Sequence, residues 1–180
     1  MKLETKRKLK SEVCWAYTRT GAFQRSRIYT NKATDDLDKI AFRNKVKDFL
    51  YHEIFIKYWK KRISENKLLE IIDKLIKHTK GSRCLEKGRL QFGNAQKFVN
   101  LYLKAMWIAG WGKVPPHFPV DRIIMQELRL KYSWTNMGKT QYKNVIEKAK
   151  KVKNSSREYP SLAIMEASIY QIKYLDSVLA

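Results

Sequence analysis

The sequence predicts an all-α protein, a compact bundle of about seven or eight helices, from three observations. Apolar residues recur at threes and fours in successive segments, capping residues such as Thr34 and Ser64 stand ahead of several of those segments, and neither strand-like alternation nor an internal repeat stands out. With 44% hydrophobic and 12% aromatic residues but only 7 Gly and 4 Pro, the chain has the composition of a packed protein with little linker. Its 180 residues suit one domain over 1–180, or two small lobes, 1–80 with 155–180 and 81–154, flanking a basic cleft.

Met1 to Lys10 is basic and amphiphilic, and the spacing predicts a helix that docks through Cys14, Trp15 and Tyr17, with a break near Thr20 and Gly21. Thr34 is expected to cap the next helix, with Asp35, Asp36 and Asp38 at its positive end. Ile40, Phe42, Val46, Phe49, Leu50, Ile54, Phe55 and Tyr58 then form one apolar stripe, in one long helix or two in line. After Ser64, a broad face of Leu68, Leu69, Ile71, Ile72, Leu75 and Ile76 opposes Lys67, Lys74, Lys77 and Lys80. Gly81 and Ser82 end that segment, and a short helical piece is expected around Leu85, running to Gly88.

A helix over 94–109 is predicted to be central, and Gly110 to stop it. The breaker-rich loop 111–119 leads to a helical period over 120–131, and Trp134 and Thr135 open another turn. A lysine-heavy helix follows over 140–153, with Tyr142, Val145 and Ile146 inward. The last helix starts at Tyr159, Pro160 and Ser161 and closes the core with Leu162, Met165, Ile169, Ile172 and Leu175.

Charge narrows the function classes. Lys and Arg number 38 against 17 Asp and Glu, a formal net charge of +21. Residues 1–80 hold 21 basic and 10 acidic side chains (+11), and residues 81–180 hold 17 and 7 (+10), so the basicity belongs to the folded body and not to a tail. A self-repelling cationic body is most simply explained by a polyanionic partner, nucleic acid before anionic membrane. No apolar run approaches the roughly 18 residues that span a bilayer, so no membrane partner is expected. Cys14 and Cys84 are two and far apart, which fits a reducing cytoplasm, and with His52, His78 and His117 they lack metal-ligand spacing. Neither a metal nor a cofactor is expected.

Candidate chemistry concentrates in 90–128, LQFGNAQKFVNLYLKAMWIAGWGKVPPHFPVDRIIMQEL. Gly93, ahead of the predicted helix, leaves backbone N–H groups open at a positive helix end, a seat for phosphate that Asn94 shares. Lys97 in the first turn is expected to have its amine pKa drawn below about 10.4 by the helix dipole and its basic surroundings, and only the neutral amine attacks carbon. The same position also suits a phosphate-binding or solvent-facing lysine. Asp121 follows Pro115, Pro116 and Pro119 at the mouth of a rigid loop, where an acid also suits the start of a helix.

The words GNAQK and FPVD, on either side of an apolar helix, resemble the helix-hairpin-helix family of DNA glycosylases, nearest its archaeal 8-oxoguanine branch, and the resemblance covers about a fifth of the chain. Gly93 matches the first hairpin glycine, Lys97 the lysine of the bifunctional members, and Pro119, Val120 and Asp121 the phrase that carries the catalytic aspartate. Ala95 stands where the family has its second glycine, and the interval from Lys97 to Asp121 is longer than in common members.

The resemblance implies a helix-hairpin-helix-like element and an enzyme of DNA repair, acting as a monomer on double-stranded DNA in the cytoplasm and nucleoid-associated when bound. Such an enzyme flips a damaged or modified base and cleaves its N-glycosidic bond. Lys97 would form a Schiff base for AP lyase activity, and Asp121 would deprotonate it or stabilise the sugar cation. Trp107, Trp111, Phe118 and Trp134 are the candidates for base pocket or wedge, and Arg83, Lys87, Arg89 and Arg122 for DNA-phosphate contacts. The alternative is a non-catalytic, basic, helical nucleic-acid-binding protein.

Overall fold

A computed structural model describes residues 3–179 except 24, 25, 27, 31–34 and 157, with side chains through 172. Its elements are α1 (Leu3–Phe23), α2 (Asp36–Leu50), a π-helical turn (Tyr51–Phe55), α3 (Ile56–Tyr58), α4 (Glu65–His78), α5 (Phe92–Ile108), α6 (Arg122–Glu127), α7 (Lys139–Ser155) and α8 (Leu162–Leu179). Because α2, the π turn and α3 run on without a break, these amount to seven helical rods among the described residues, with no strand. One isolated antiparallel bridge joins Tyr29 to Leu85. No described helix is long and apolar enough to cross a membrane.

The centre of the fold is α5, whose residues from Phe92 to Met106 are all buried. It is wrapped by α1, α4 and α7. Along α1, Ser11 bonds the Tyr102 hydroxyl at 2.6 Å, and Trp15 and Phe23 pack on Phe98. The expected break at Thr20 and Gly21 does not occur; α1 runs through to Phe23. Gly21 is there for closeness, since a Cβ on it would stand 3.0 Å from Leu101 Cδ1.

The cap of α2 is Asp35, whose carboxylate accepts from Leu37 N at 3.0 Å, while Thr34 lies outside the described residues. Ile40, grouped by spacing with the α2 stripe, is 48% exposed, because the first turns of α2 extend past the core that receives Phe42, Val46, Phe49 and Leu50. The π turn widens the helix by one residue per turn and puts Ile54 and Phe55 fully inside. Ser64 caps α4 through Lys67 N, as expected.

Around Leu85 there is no helix. Gly81 and Gly88 both take positive φ (82° and 62°), and the span between them turns, with Cys84 O accepting from Thr30 N. α5 starts at Phe92, two residues earlier than expected, and Gly110 (φ 70°) ends it with Trp111 N donating back to Met106 O. α6 is shorter than its period predicts. Arg129 (φ 50°) ends it in the left-handed conformation that glycine usually supplies, with Leu130 N donating to Met125 O. In α8 Leu162, Met165 and Ile169 are buried, Ile172 is exposed, and the Leu175 side chain lies outside the described residues.

Candidate functional site

A helix buried on every side should be apolar throughout, because burying an unpaired polar group costs free energy. α5 breaks that rule at Asn94, Gln96, Lys97, Asn100 and Lys104, all buried. At 3.6 residues per turn, Gln96 and Asn100 share one stripe, and Lys97, Leu101 and Lys104 share the next. The two stripes do different things.

The first holds the FPVD loop. Gln96 Nε2 donates to Gly93 O (2.9 Å) and Val120 O (2.7 Å), while its Oε1 accepts from Val120 N (3.1 Å) and Asn100 Nδ2 (3.0 Å). Every hydrogen-bonding capacity of that amide is used, and it grips Val120 as a neighbouring strand would. Asn100 Nδ2 also donates to the Tyr142 hydroxyl (2.9 Å), which lies 3.0 Å from His117 Nδ1. With Asn100 donating to the Tyr142 oxygen, the phenol hydroxyl donates to Nδ1, which puts the imidazole proton on Nε2, facing Glu65 Oε2 at 3.6 Å. The residues just before Asp121 are thus fastened at Val120 and at His117.

His117 makes this clamp sensitive to acid. Burial drives its pKa down to about 4, against a partial upward pull from Glu65. An unfolded histidine titrates near 6.5, so between those values only the unfolded chain takes the proton. The stabilisation is present above about pH 6.5 and is lost as pH falls to 4, by roughly 3 kcal/mol at most. Denaturant unfolding between pH 7 and 4.5 is expected to show this loss in the wild type and a smaller one in His117→Asn. Equal pH slopes in the two proteins would exclude the histidine as its source.

The second stripe opens on a cavity of about 800 Å³. Lys97, Leu101 and Lys104 form one side; Pro119, Asp121, Arg122, Ile123 and Trp134 another; Ala16, Tyr17, Thr20 and Gly21 of α1 with Glu166 and Tyr170 of α8 close it. Lys97 is 6% exposed, and its Nζ sits 4.6 Å from the centroid of the Trp134 ring, a favourable seat for an ammonium. Starting α5 at Phe92 puts Lys97 in the second turn, beyond the first, where the dipole acts most. Asp121 is the N-cap of α6, its Oδ1 accepting from Ile123 N (3.0 Å) and Ile124 N (3.3 Å), and its Oδ2 accepts from the Tyr170 hydroxyl. Burial and the facing Asp121 carboxylate hold the Tyr170 phenol above its ordinary range, so it is the donor. Lys104 Nζ pairs with Glu166 Oε2 at 2.5 Å and lies over the Tyr170 ring. Burial pushes the Glu166 carboxyl up, while Lys104 draws it down.

The other candidates divide by place. Arg122 is exposed at the cavity rim, and of the four aromatic residues only Trp134 lines it. Phe118 is a core residue, turned inward by the clamped loop. Trp111 stacks on Trp59 at 6.2 Å, with Lys10 Nζ over both rings, on a different part of the surface. Trp107, half-buried near the C-terminal end of α5, is also away from the lining. Gly93 is the second residue of α5 rather than the residue ahead of it, in the first turn, and the side where a Cβ would stand faces the Trp134 carbonyl. Arg83, Lys87 and Arg89 are exposed ahead of α5; Lys87, Arg89 and Asn94 line a recess of about 270 Å³ there.

Lys104, Glu166 and Tyr170 were not among the residues that sequence singled out, and Tyr17, expected to dock α1 with Cys14 and Trp15, is instead 43% exposed and lines the cavity. Lys104 carried a signal: two lysines seven apart on an otherwise apolar helix share a face that solvent or a counter-charge must meet. Among the described residues no group of three or more His, Cys, Asp and Glu side chains is placed to hold a metal ion. No family model, curated protein or solved structure matches the chain.

Proposed function

We propose that the protein is a DNA glycosylase with AP lyase activity, which takes a damaged or modified base out of duplex DNA into the cavity beside α5 and cleaves its N-glycosidic bond. The observation that carries this is the convergence of Lys97 and Asp121, 24 residues apart in sequence, on one cavity of a chain with net charge +21. The Lys97 amine, once neutral, attacks C1′ of the sugar; the new N–C bond forms as the bond to the base breaks, and the base leaves with the electron pair and gains a proton. Asp121 takes the proton from the amine. Opening of the sugar ring gives a Schiff base, from which loss of a C2′ proton expels the 3′ phosphate.

Around this centre, α4, residues 79–91 and α5 supply the helix-hairpin-helix-like element. Lys87, Arg89 and Asn94 at the start of α5, with Arg83 and Arg122 nearby in sequence and at the rim, contact phosphates. Trp134 is the aromatic wall against which the extruded base stacks. The enzyme acts as a monomer on double-stranded DNA of the cytoplasm, bound at the nucleoid.

Borohydride reduction in the presence of a duplex with an abasic site tests this directly. The wild type is expected to give a covalent adduct, and Lys97→Gln none. A second reading, a non-catalytic nucleic-acid-binding protein, draws support from Asp121, whose two oxygens are already engaged in capping α6 and accepting from Tyr170. That reading predicts duplex binding that weakens with salt, with no adduct from any abasic or modified duplex.

A further inference from the structure

The glycosylase reading leaves open which base is removed, and the far end of the cavity bears on it. Lys104 and Glu166 form an ion pair there, 9% and 2% exposed. A buried pair of this kind is a poor way to stabilise a fold, since apolar side chains of the same volume often do as well or better. This one also has unused capacity on the cavity side. Among the described residues Glu166 is bonded only by Lys104, through Oε2, and the ammonium has further hydrogens to give. One acceptor beside one donor is the complement of a nucleobase edge, on which an N–H or amino group adjoins a carbonyl or ring nitrogen.

The spacing agrees. Seven residues along α5 separate Lys104 from Lys97, about 10 Å of rise between their backbone positions, so the two lysines enter the cavity about the length of a base apart along the helix. Leu101 lies between them on the same stripe as apolar floor, with Trp134 at the Lys97 end and the Tyr170 ring at the Lys104 end. Charge narrows the class further. While the base enters, before Asp121 takes the proton from Lys97, the Lys97 ammonium over Trp134, Lys104 and Arg122 against Asp121 and Glu166 give the lining a net charge of +1, which repels a base that is itself a cation.

We propose, on the glycosylase reading, that Lys104 and Glu166 read the hydrogen-bonding edge of the extruded base. The substrates are then neutral modified bases whose donor–acceptor edge is intact, and not cationic N-alkylated purines or bases blocked on that edge.

Two reactions separate this inference from the reading beneath it. Adduct formation at an abasic site involves no base and reports on Lys97 and Asp121; single-turnover base release also reports on the edge. The wild type is tested against duplexes with neutral oxidised or C5-substituted bases and with cationic N-alkylated purines, beside Glu166→Gln and the double variant Lys104→Met/Glu166→Gln, which leaves no unpaired buried charge. Release of at least one neutral base is expected, at least tenfold faster than any cationic one. In both variants that release falls on the order of a hundredfold, the loss expected when hydrogen bonds to charged groups are removed, while adduct yield at the abasic site stays within about twofold. The inference is overturned if cationic bases are preferred, if no neutral base is released, if release survives in the double variant, or if release and adduct yield fall together there. If the wild type forms no abasic adduct, the glycosylase–lyase reading falls and takes the inference with it.

Discussion

Gly93→Ala is expected to destabilise the protein by about 3 kcal/mol or more, a large effect from adding one methyl group. In an ordinary helix the same change stabilises by roughly 0.5–1 kcal/mol, because alanine loses less backbone freedom on folding, so both sign and size are informative. The cause is the backbone beside Gly93. A Cβ there would lie 1.9 Å from the Trp134 carbonyl oxygen and 3.0 Å from that of Thr135, and neither is the end of a side chain that can swing away. Either the 134–135 segment moves off α5 or α5 shifts in its packing. In the first case Trp134 leaves Lys97 and the cavity loses a wall. Denaturant unfolding measures the cost, and tryptophan fluorescence reports the displacement. A variant within about 0.5 kcal/mol of the wild type would show that the approach of residues 134–135 is not what selects glycine, and would revive a role for Gly93 in meeting DNA.

That outcome bears on how far the sequence could be read. The central position of α5, its stop at Gly110 and the cap at Ser64 follow from apolar period and end signals, which act within a turn or two of chain. Gly93 follows the same local logic to a different end: the residue type was informative, but the object it approaches is 41 positions away. Gly21 repeats the point, since a glycine that reads as a break is a place where α1 and Leu101 come close. Arg129 is the converse, a helix end without the glycine that would have announced it. Among the residues that line the cavity, Asp121 was legible because it starts a helix after a breaker-rich loop, and Lys97 because it is a lysine on an otherwise apolar helix. Glu166 and Tyr170 were not, because periodicity tells which face of α8 is inward but not which residue of α5 or α6 it meets. Long aromatic side chains fared worst. Trp111 and Phe118 occupy a breaker-rich loop that suggests exposure, yet the clamp on Val120 and His117 turns Phe118 into the core, and Trp59 and Lys10 take up Trp111.

The clamp makes the second large prediction, because the long interval between Lys97 and Asp121 matters only if something spans it. Gln96→Leu keeps the volume and removes four hydrogen bonds at once, leaving Val120 N–H and Val120 C=O without their partner inside the protein, while Asn100 Nδ2 keeps only its bond to the Tyr142 hydroxyl. At about 1–3 kcal/mol for each buried group left unsatisfied, and with partial relaxation of the loop, the expected loss is about 4 kcal/mol. Gln96→Glu is expected to come close to it, since a carboxylate cannot donate to the Gly93 and Val120 carbonyls, and its charge would be buried. A general loss of stability does not by itself show that the loop is held here, so the deciding observation is local. Exchange of the Val120 amide proton is expected to accelerate more than that of α4 amides remote from the loop, under conditions where the variant remains folded. Asp121 keeps its cap on α6 in this variant, because that bond lies within its own turn, but α6 is no longer tied to α5. On the glycosylase reading, adduct yield then falls at least tenfold although both Lys97 and Asp121 are present, a loss of about 1.4 kcal/mol or more of transition-state stabilisation that comes from position alone. If the Val120 amide keeps its wild-type protection, the hydrogen bonds to Gln96 are not what brings Asp121 to the cavity, and packing of Phe118 and Val120 in the core must be enough.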